Sequence, residues 1–261
     1  MAAGETFRAG PWQVTCLVDG GLTFGAEVFP EVPAARQAEL LARAGLAGAE
    51  TEFNAYVLRH DDGRVWLVDT GCGAAFGPAG GHMPARLAEM GIAPGDVSRV
   101  IFTHLHGDHC GGALVDCQPV YAAAEVVLHA REAAHWRGTE GLGGQVLAAC
   151  GDSLRCVGED EDLGDGIVVW ALPGHTPGHM GLRIGEGLVL AGDIVHSEAL
   201  QLPDPRNATK YDVDGSQALA SRHAALAEIA DKGLVWAGSH MIGAKFARLE
   251  RSGDGYAKLN L

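Results

Sequence analysis

Short apolar runs alternate along the chain with polar, glycine-rich breaks, and the period of each run predicts its element. Residues 12–18 (WQVTCLV) read as a first strand. Residues 33–45 read as a helix, with Pro33 in its first turn and Leu40, Leu41 and Ala44 as an apolar stripe. Residues 53–58 (FNAYVL) and 64–69 (RVWLVD) read as strands joined by an Asp-Asp-Gly turn, a hairpin signal. A helix is expected over 82–91, closed by Gly91. The apolar run 99–103 (RVIFT) reads as a buried strand that stops at a dense polar cluster. Strands are then expected at 119–121, 125–128, 154–157, 167–172, 180–184 and 187–191, interrupted by a helix at 129–136. The clearest helix spans 214–230: Asp212, Asp214 or Ser216 can cap it, and Leu219, Leu226 and Ile229 face one way. A last strand at 234–237 leads to Gly238, Ser239 and His240. Runs of strands with few helices argue against a doubly wound parallel sheet and suit two packed sheets with helices outside.

Composition narrows the partners. At 47% hydrophobic over 261 residues, the chain can bury a sizeable core, and it reads as one domain over 1–261. The formal charge of −14 repels phosphate backbones and anionic headgroups, so neither nucleic acid nor a membrane is an expected partner. A small-molecule substrate is expected instead, with a homodimer as a possible assembly. The six cysteines form no CxxC pair, and the N-terminus shows no basic segment followed by an apolar run. Both features point to reduced thiols and a cytoplasmic location.

The chemistry concentrates at residues 104–109 (HLHGDH), three histidines and a carboxylate in six positions. Imidazole nitrogens and carboxylate oxygens are the usual ligands of zinc and related divalent ions. In an extended segment His104 and His106 share a face and can reach one ion. A turn at Gly107 into a helix would swing Asp108 and His109 toward a second. Three distant partners stand where they are needed: the PGHTPGH turn from Pro173 to His179, Asp193 at the end of an apolar strand, and His240 after another. A carboxylate ending a buried strand costs several kcal/mol unless it is paired or on a metal.

In these motifs the sequence resembles the metallo-β-lactamase superfamily. The matching pieces are VDTG at Val68 to Gly71, HxHxDH at His104 to His109, PGH at Pro173 to His175, Gly192 with Asp193, and GSH at Gly238 to His240. The resemblance implies an α/β (α+β) fold, an αββα sandwich of two mixed sheets with the metals at one edge. It implies one ion on His104, His106 and His175, and a second on Asp108, His109 and His240, with Asp193 bridging both. It places His179 behind the ligands and makes Asp69 an orienting group. Within the superfamily the chain is most similar to the branch of methyl parathion hydrolase and its lactonase and esterase relatives. FNAY at Phe53 to Tyr56, AGDIVH at Ala191 to His196 and ALQLP at Ala199 to Pro203 carry this. N-acyl-homoserine lactonases carry a tyrosine three residues after the bridging aspartate; this chain has His196 there, at the expected pocket lip.

The implied activity is hydrolysis of a small ester, lactone or organophosphate-like bond. Two divalent ions, zinc foremost with manganese, iron or cobalt as alternatives, would share a water and lower its pKa enough to make a bridging hydroxide near neutral pH. The catalytic set is then Asp108, Asp193 and His196: Asp193 spaces the ions, Asp108 moves a proton, and His196 touches substrate. Cys110 reads as a small packing residue, and His60, His82, His129, His135 and His223 as surface or packing residues. The competing readings are an iron-dependent persulfide dioxygenase and a nuclease of the same superfamily.

Overall fold

The computed structural model describes residues 4–261. A first mixed sheet is built from β1 (Thr6–Ala9), β2 (Trp12–Phe24), β3 (Ala49–His60), β4 (Val65–Val68) and β5 (Val97–Ile101). A two-strand ribbon, β6 (Leu114–Val115) with β7 (Gln118–Pro119), stands apart, and β8 (Glu125–His129) and β9 (Leu154–Val157) complete the first sheet in the order β1-β2-β3-β4-β5-β8-β9. The second sheet runs in sequence order: β10 (Asp162–Gly164), β11 (Ile167–Ala171), β12 (Met180–Ile184), β13 (Leu188–Leu190), β14 (Val235–Ala237), β15 (Ala247–Ser252) and β16 (Gly255–Asn260). The helices are α1 (Ala34–Arg43), α2 (Met83–Glu89), α3 (Gly107–Cys110), α4 (Ala130–Trp136), α5 (Leu142–Cys150), α6 (Glu198–Gln201) and α7 (Gly215–Asp231). This is the expected sandwich of two mixed sheets with helices outside.

The first sheet is buried on both faces, which explains its near-continuous apolar runs. Tyr56, Leu58, Trp66, Val68 and Ile101 face inward and meet Ile167, Val169, Leu182, Leu188 and Leu190 of the second sheet. Their neighbours Ala55, Val57, Val65, Leu67 and Val100 face outward under Met83 and Leu87 of α2 and Val146 and Leu147 of α5. A smaller cluster (Val28, Phe29, Val32, Leu40, Ala49 and Leu200) anchors the segment between β2 and β3.

Differences from expectation follow from glycine and from charge. The first strand does not stop at residue 18: it bulges between Val18 and Gly20 and pairs with β3 as far as Phe24 opposite Ala49. Gly20 is there because a Cβ would lie 2.0 Å from the Ala79 carbonyl. Helix α5 hides behind Gly143 and Gly144, whose missing side chains let it close on Leu105, Trp136 and Thr139. The strand expected at 119–121 is only the end of the small ribbon. The β15–β16 hairpin alternates buried Leu249 with exposed Arg248 and Glu250 at the sheet edge, too polar to read as a strand.

Leu182 is 1% exposed in the inter-sheet core. Leu182→Ala is expected to cost about 2–5 kcal/mol by urea denaturation, since the sandwich collapses only partly around the lost volume. A midpoint shift worth less than about 1 kcal/mol would contradict this packing.

Candidate metal centre

Every sequence-expected ligand follows the carboxyl end of a strand. His104, His106, Asp108 and His109 follow β5, His175 follows β11, Asp193 follows β13 and His240 follows β14. Strands β4 and β5 are parallel, as are β13 and β14, so in both sheets two neighbouring strands end together at one edge of the sandwich. This is where open α/β sheets gather their functional loops. Two glycines make the approach possible. Gly174 (φ 125°) lies against the first turn of α7, where a Cβ would sit 2.0 Å from the Ala218 nitrogen. Gly192 (φ 54°) lies under the His179 ring, where a Cβ would sit 2.4 Å from Nε2.

The side chains converge in two groups, His104 with His106 and His175, and Asp108 with His109, Asp193 and His240. His106 Nδ1 lies 3.0 Å from both His104 Nε2 and His175 Nε2. Asp193 joins the groups: Oδ1 is 3.3 Å from His109 Nε2, while Oδ2 is 3.5 Å from His175 Nε2 and 2.9 Å from His240 Nε2. The far nitrogen of four rings is tied back, which fixes which nitrogen faces the centre. His109 Nδ1 donates to Asp69 (2.8 Å), His175 Nδ1 to Asp212 (3.1 Å), His240 Nδ1 to the Glu52 carbonyl (3.1 Å), and His104 Nδ1 to the Thr103 hydroxyl (3.1 Å). Asp69, with φ 62°, also accepts from the Thr103 amide and hydroxyl.

His179 is placed differently from the ligand-like histidines. Its Nδ1 donates to the Leu172 carbonyl and its Nε2 accepts the Asp193 amide, so both ring nitrogens are spent on backbone. It holds the Asp193 turn and has no lone pair left for an ion. His196 is not at an exposed lip: it is 2% exposed, with Nε2 3.4 Å from Asp193 Oδ2 and its ring stacked on His240. The exposed side chain on the cavity is Tyr211, at 39%. Gln201 fixes His196 by accepting its amide at 2.6 Å.

Three supporting charges were not legible as such in the sequence. Glu132, fully buried in α4, accepts from the Leu105 amide and the Trp136 indole through one oxygen, and from the Thr176 hydroxyl and the Gly178 amide through the other. It clamps the HLHGDH segment to the PGHTPGH turn. Asp212 was legible only as a helix cap; Asp214 caps α7 instead, and Asp212 orients His175 while paired with buried Arg222. Asp19 gathers the amides of Cys72, Gly81 and Met83 beside the Asp69 turn. Cys110 packs as expected: burial pushes its thiol up, and Sγ faces the Leu105 carbonyl.

The electrostatics call for cations. Burial opposes charge on His109, yet the Asp193, Asp108 and Asp69 carboxylates hold its pKa well above the ordinary range. Burial likewise opposes charge on Asp193, and His109, His240 and His104 pull its carboxyl well below the usual value. Burial keeps His104 neutral and pushes His106 down to about 3. His109 Nε2 and Asp193 Oδ1 are buried without a hydrogen-bond partner, aimed at the same space. Converging imidazoles and carboxylates, with two buried atoms left without a partner and carboxylates that draw positive charge onto His109, fit divalent ions of the zinc type.

Above the centre lies a cavity of about 260 Å³, walled by Leu22, Phe24, Phe53, Phe76 and Tyr211 and floored by His106, Asp108, His175, Asp193, His196 and His240. Among the described residues, no lysine or arginine lines it. Fold and site together define a metal-dependent hydrolase architecture, and the chain belongs to the metallo-beta-lactamase superfamily, whose model matches residues 53–240. It is similar to the N-acyl homoserine lactonase AiiB of Agrobacterium fabrum, 28% identical over 30% of this chain and 33% of that protein. It is also similar to a hydroxyacylglutathione hydrolase of Acidiphilium cryptum, 30% identical over 52% of this chain and 50% of that protein. The matched stretches thus span a third to a half of these relatives. Among solved structures, the hydrolase AbOPH of the beta lactamase superfamily superposes with TM-score 0.91 at 26% identity, covering 100% of this chain and 98% of that one. AidC, a dizinc quorum-quenching lactonase, shares the fold with TM-score 0.92 at 21% identity, covering 98% and 97%.

Burial pushes His179 down to about 3 and His196 to about 4, from an ordinary 6.5. The unfolded chain therefore takes up protons near pH 6.5 while the folded chain refuses them, and stability drops as pH falls from there toward 3. Asp212, held at about 2 mainly by His175, His196 and Arg222 against its burial, adds to the loss below its unfolded value of 3.8. His109 and His240, whose pKa values are raised, oppose this loss, but the lowered His104, His106, His179 and His196 outnumber them. The melting temperature of chelator-treated protein is therefore expected to fall from pH 7 to pH 5; a rising profile would contradict neutral burial of these rings.

Proposed function

We propose that the chain is a two-metal hydrolase of compact, neutral esters, lactones or phosphotriester-like substrates. In this reading His104, His106 and His175 hold one ion, Asp108, His109 and His240 the other, and Asp193 lies between them. The observation that carries it is the contrast within one cavity, a floor of ligand-type side chains under walls of Leu22, Phe24, Phe53 and Phe76. Such walls favour an uncharged acyl, aryl or alkyl group, and the absence of a lining cation disfavours the carboxylates of a glutathione thioester.

The ions would supply Lewis acidity and an activated water at the reacting carbonyl or phosphoryl centre. Asp108, 13% exposed and lining the cavity, would carry a proton to the leaving group. His196 stays neutral through burial, and its ring lines the cavity floor beside Asp193, where it would meet the substrate. The aromatic walls keep bulk water from the reacting bond. The lactonase activities of AiiB and AidC support the lactone part of this class.

Zinc-loaded protein is expected to hold two ions by elemental analysis and to turn over acyl lactones, aryl esters or phosphotriesters, with little activity on S-acylglutathione. Turnover confined to glutathione thioesters, nucleic acid or persulfides would overturn the class. His196→Ala should lower kcat/KM ten-fold or more with both ions retained, about 1.4 kcal/mol of transition-state stabilisation; unchanged kinetics would remove His196 from the reaction.

A further inference from the structure

Strand β3 is longer than the neighbour it pairs with. Strand β4 covers only Tyr56 to Arg59, so the part of β3 before Tyr56 offers an edge of backbone groups with no strand beside it. Such an edge needs a partner. Here it is the turn from Gly238 to Met241, which comes from the opposite sheet and carries His240. The Asn54 amide donates to the Ser239 carbonyl at 2.8 Å, and the Glu52 carbonyl accepts from His240 Nδ1 at 3.1 Å. The Asn54 side-chain Nδ2 reaches the Gly238 and Met241 carbonyls at 3.2 and 2.8 Å, and the Tyr56 hydroxyl donates to the Gly238 carbonyl at 2.9 Å. Lys245 closes the cradle from behind, donating to the Met241 carbonyl and pairing with Glu52.

Two details separate this cradle from ordinary packing. A carbonyl can only accept, so Glu52 forces the proton of neutral His240 onto Nδ1 and leaves the Nε2 lone pair facing Asp193 and Asp108. In addition, Asn54 is 4% exposed and its Oδ1 is buried without a partner. An apolar side chain of the same size would create no such orphan, and both carbonyls that Asn54 serves keep another donor, Tyr56 for Gly238 and Lys245 for Met241. Stability alone therefore gives little reason for the amide. A two-pronged donor does fix the height and tilt of the turn, and with it the plane of the His240 ring.

We propose that Asn54 and Tyr56 are positioning residues that set the affinity of the ion position served by His240, while leaving the position of His104, His106 and His175 untouched. This rests on the two-ion reading above. The FNAY stretch is, on this account, half wall and half scaffold: Phe53 lines the cavity, while Asn54 and Tyr56 hold a ligand loop from the other sheet.

The test compares wild type, Asn54→Leu, Tyr56→Phe, their double variant and His240→Ala. Each is stripped with a chelator and titrated with Co²⁺ against a chromogenic competitor, following cobalt d–d absorption. Wild type should take up two equivalents and His240→Ala one tight equivalent. The double variant should bind one equivalent within about two-fold of wild type and the other ten-fold or more weakly, the range expected when a ligand loses its outer partner. Stripped Asn54→Leu should melt within a few degrees of wild type, and the stripped double variant, which leaves the Gly238 carbonyl without a side-chain donor, several degrees lower. If the double variant does not fold, Tyr56→Phe, which removes one oxygen, is read by the same criterion. Two equivalents at wild-type affinity, or equal weakening of both, would overturn the positioning role. A wild type that saturates at one equivalent would overturn the two-ion reading itself, and the proposal with it.

Discussion

Asp193 is a carboxylate buried to 2% exposure in the seam between two sheets, ringed by His104, His109, His175, His196 and His240. A buried charge of this kind costs several kcal/mol unless opposite charge reaches it. Most of the surrounding structure is arranged to hold that charge in place and to bring positive charge to it. The turn carrying Asp193 needs a left-handed glycine at Gly192 and a histidine, His179, that spends both ring nitrogens on backbone. Burial pushes His106 down, while at His109 the Asp193, Asp108 and Asp69 carboxylates outweigh burial, so the two rings shift in opposite directions.

The sandwich supplies this arrangement through strand direction. Parallel neighbours in each sheet end at the same edge, so loops far apart in sequence meet there. Loops alone would be too mobile to hold ligand atoms about 3 Å apart. They are fixed by buried charges with every oxygen engaged: Glu132 ties the loop after β5 to the loop after β11, Asp212 with Arg222 ties His175 to α7, and Asp69 ties His109 to β4. Fully satisfied polar networks of this type rigidify a site as well as holding it together.

Membership of the metallo-beta-lactamase superfamily leaves the substrate open, since one site architecture serves many chemistries. The wall of the cavity bears on the substrate. It is assembled from the extension of β2 (Leu22 and Phe24), from β3 (Phe53), from the loop before α2 (Phe76) and from the segment before α7 (Tyr211). None of these supplies a cation, and two of them adjoin residues that hold the centre, Phe53 beside Asn54 and Tyr211 beside Asp212.

The sequence by itself determined the ingredients. HLHGDH, His175, Asp193 and His240 stood out because metal-type chemistry needs particular side chains, and those are visible as letters. The strands of the first sheet stood out because burial on both faces leaves uninterrupted apolar runs, and the Asp61-Asp62-Gly63 turn because its composition fits a hairpin. Tertiary structure alone decided the rest. It continued β2 past Gly20 and Gly21 by bulging the strand against Ala79, and it built α5 around glycines that sequence reads as breaks. It gave His175 a free nitrogen and His179 none, buried His196, and recruited Glu132, Asp212 and the Asn54 cradle. The reason is that a hydrogen-bond partner is defined by distance in space. Glu132 and Thr176 are 44 positions apart, and Asn54 and Met241 are 187. Hydrophobic periodicity records which face of an element is buried, but it carries no information about which buried polar atoms will meet.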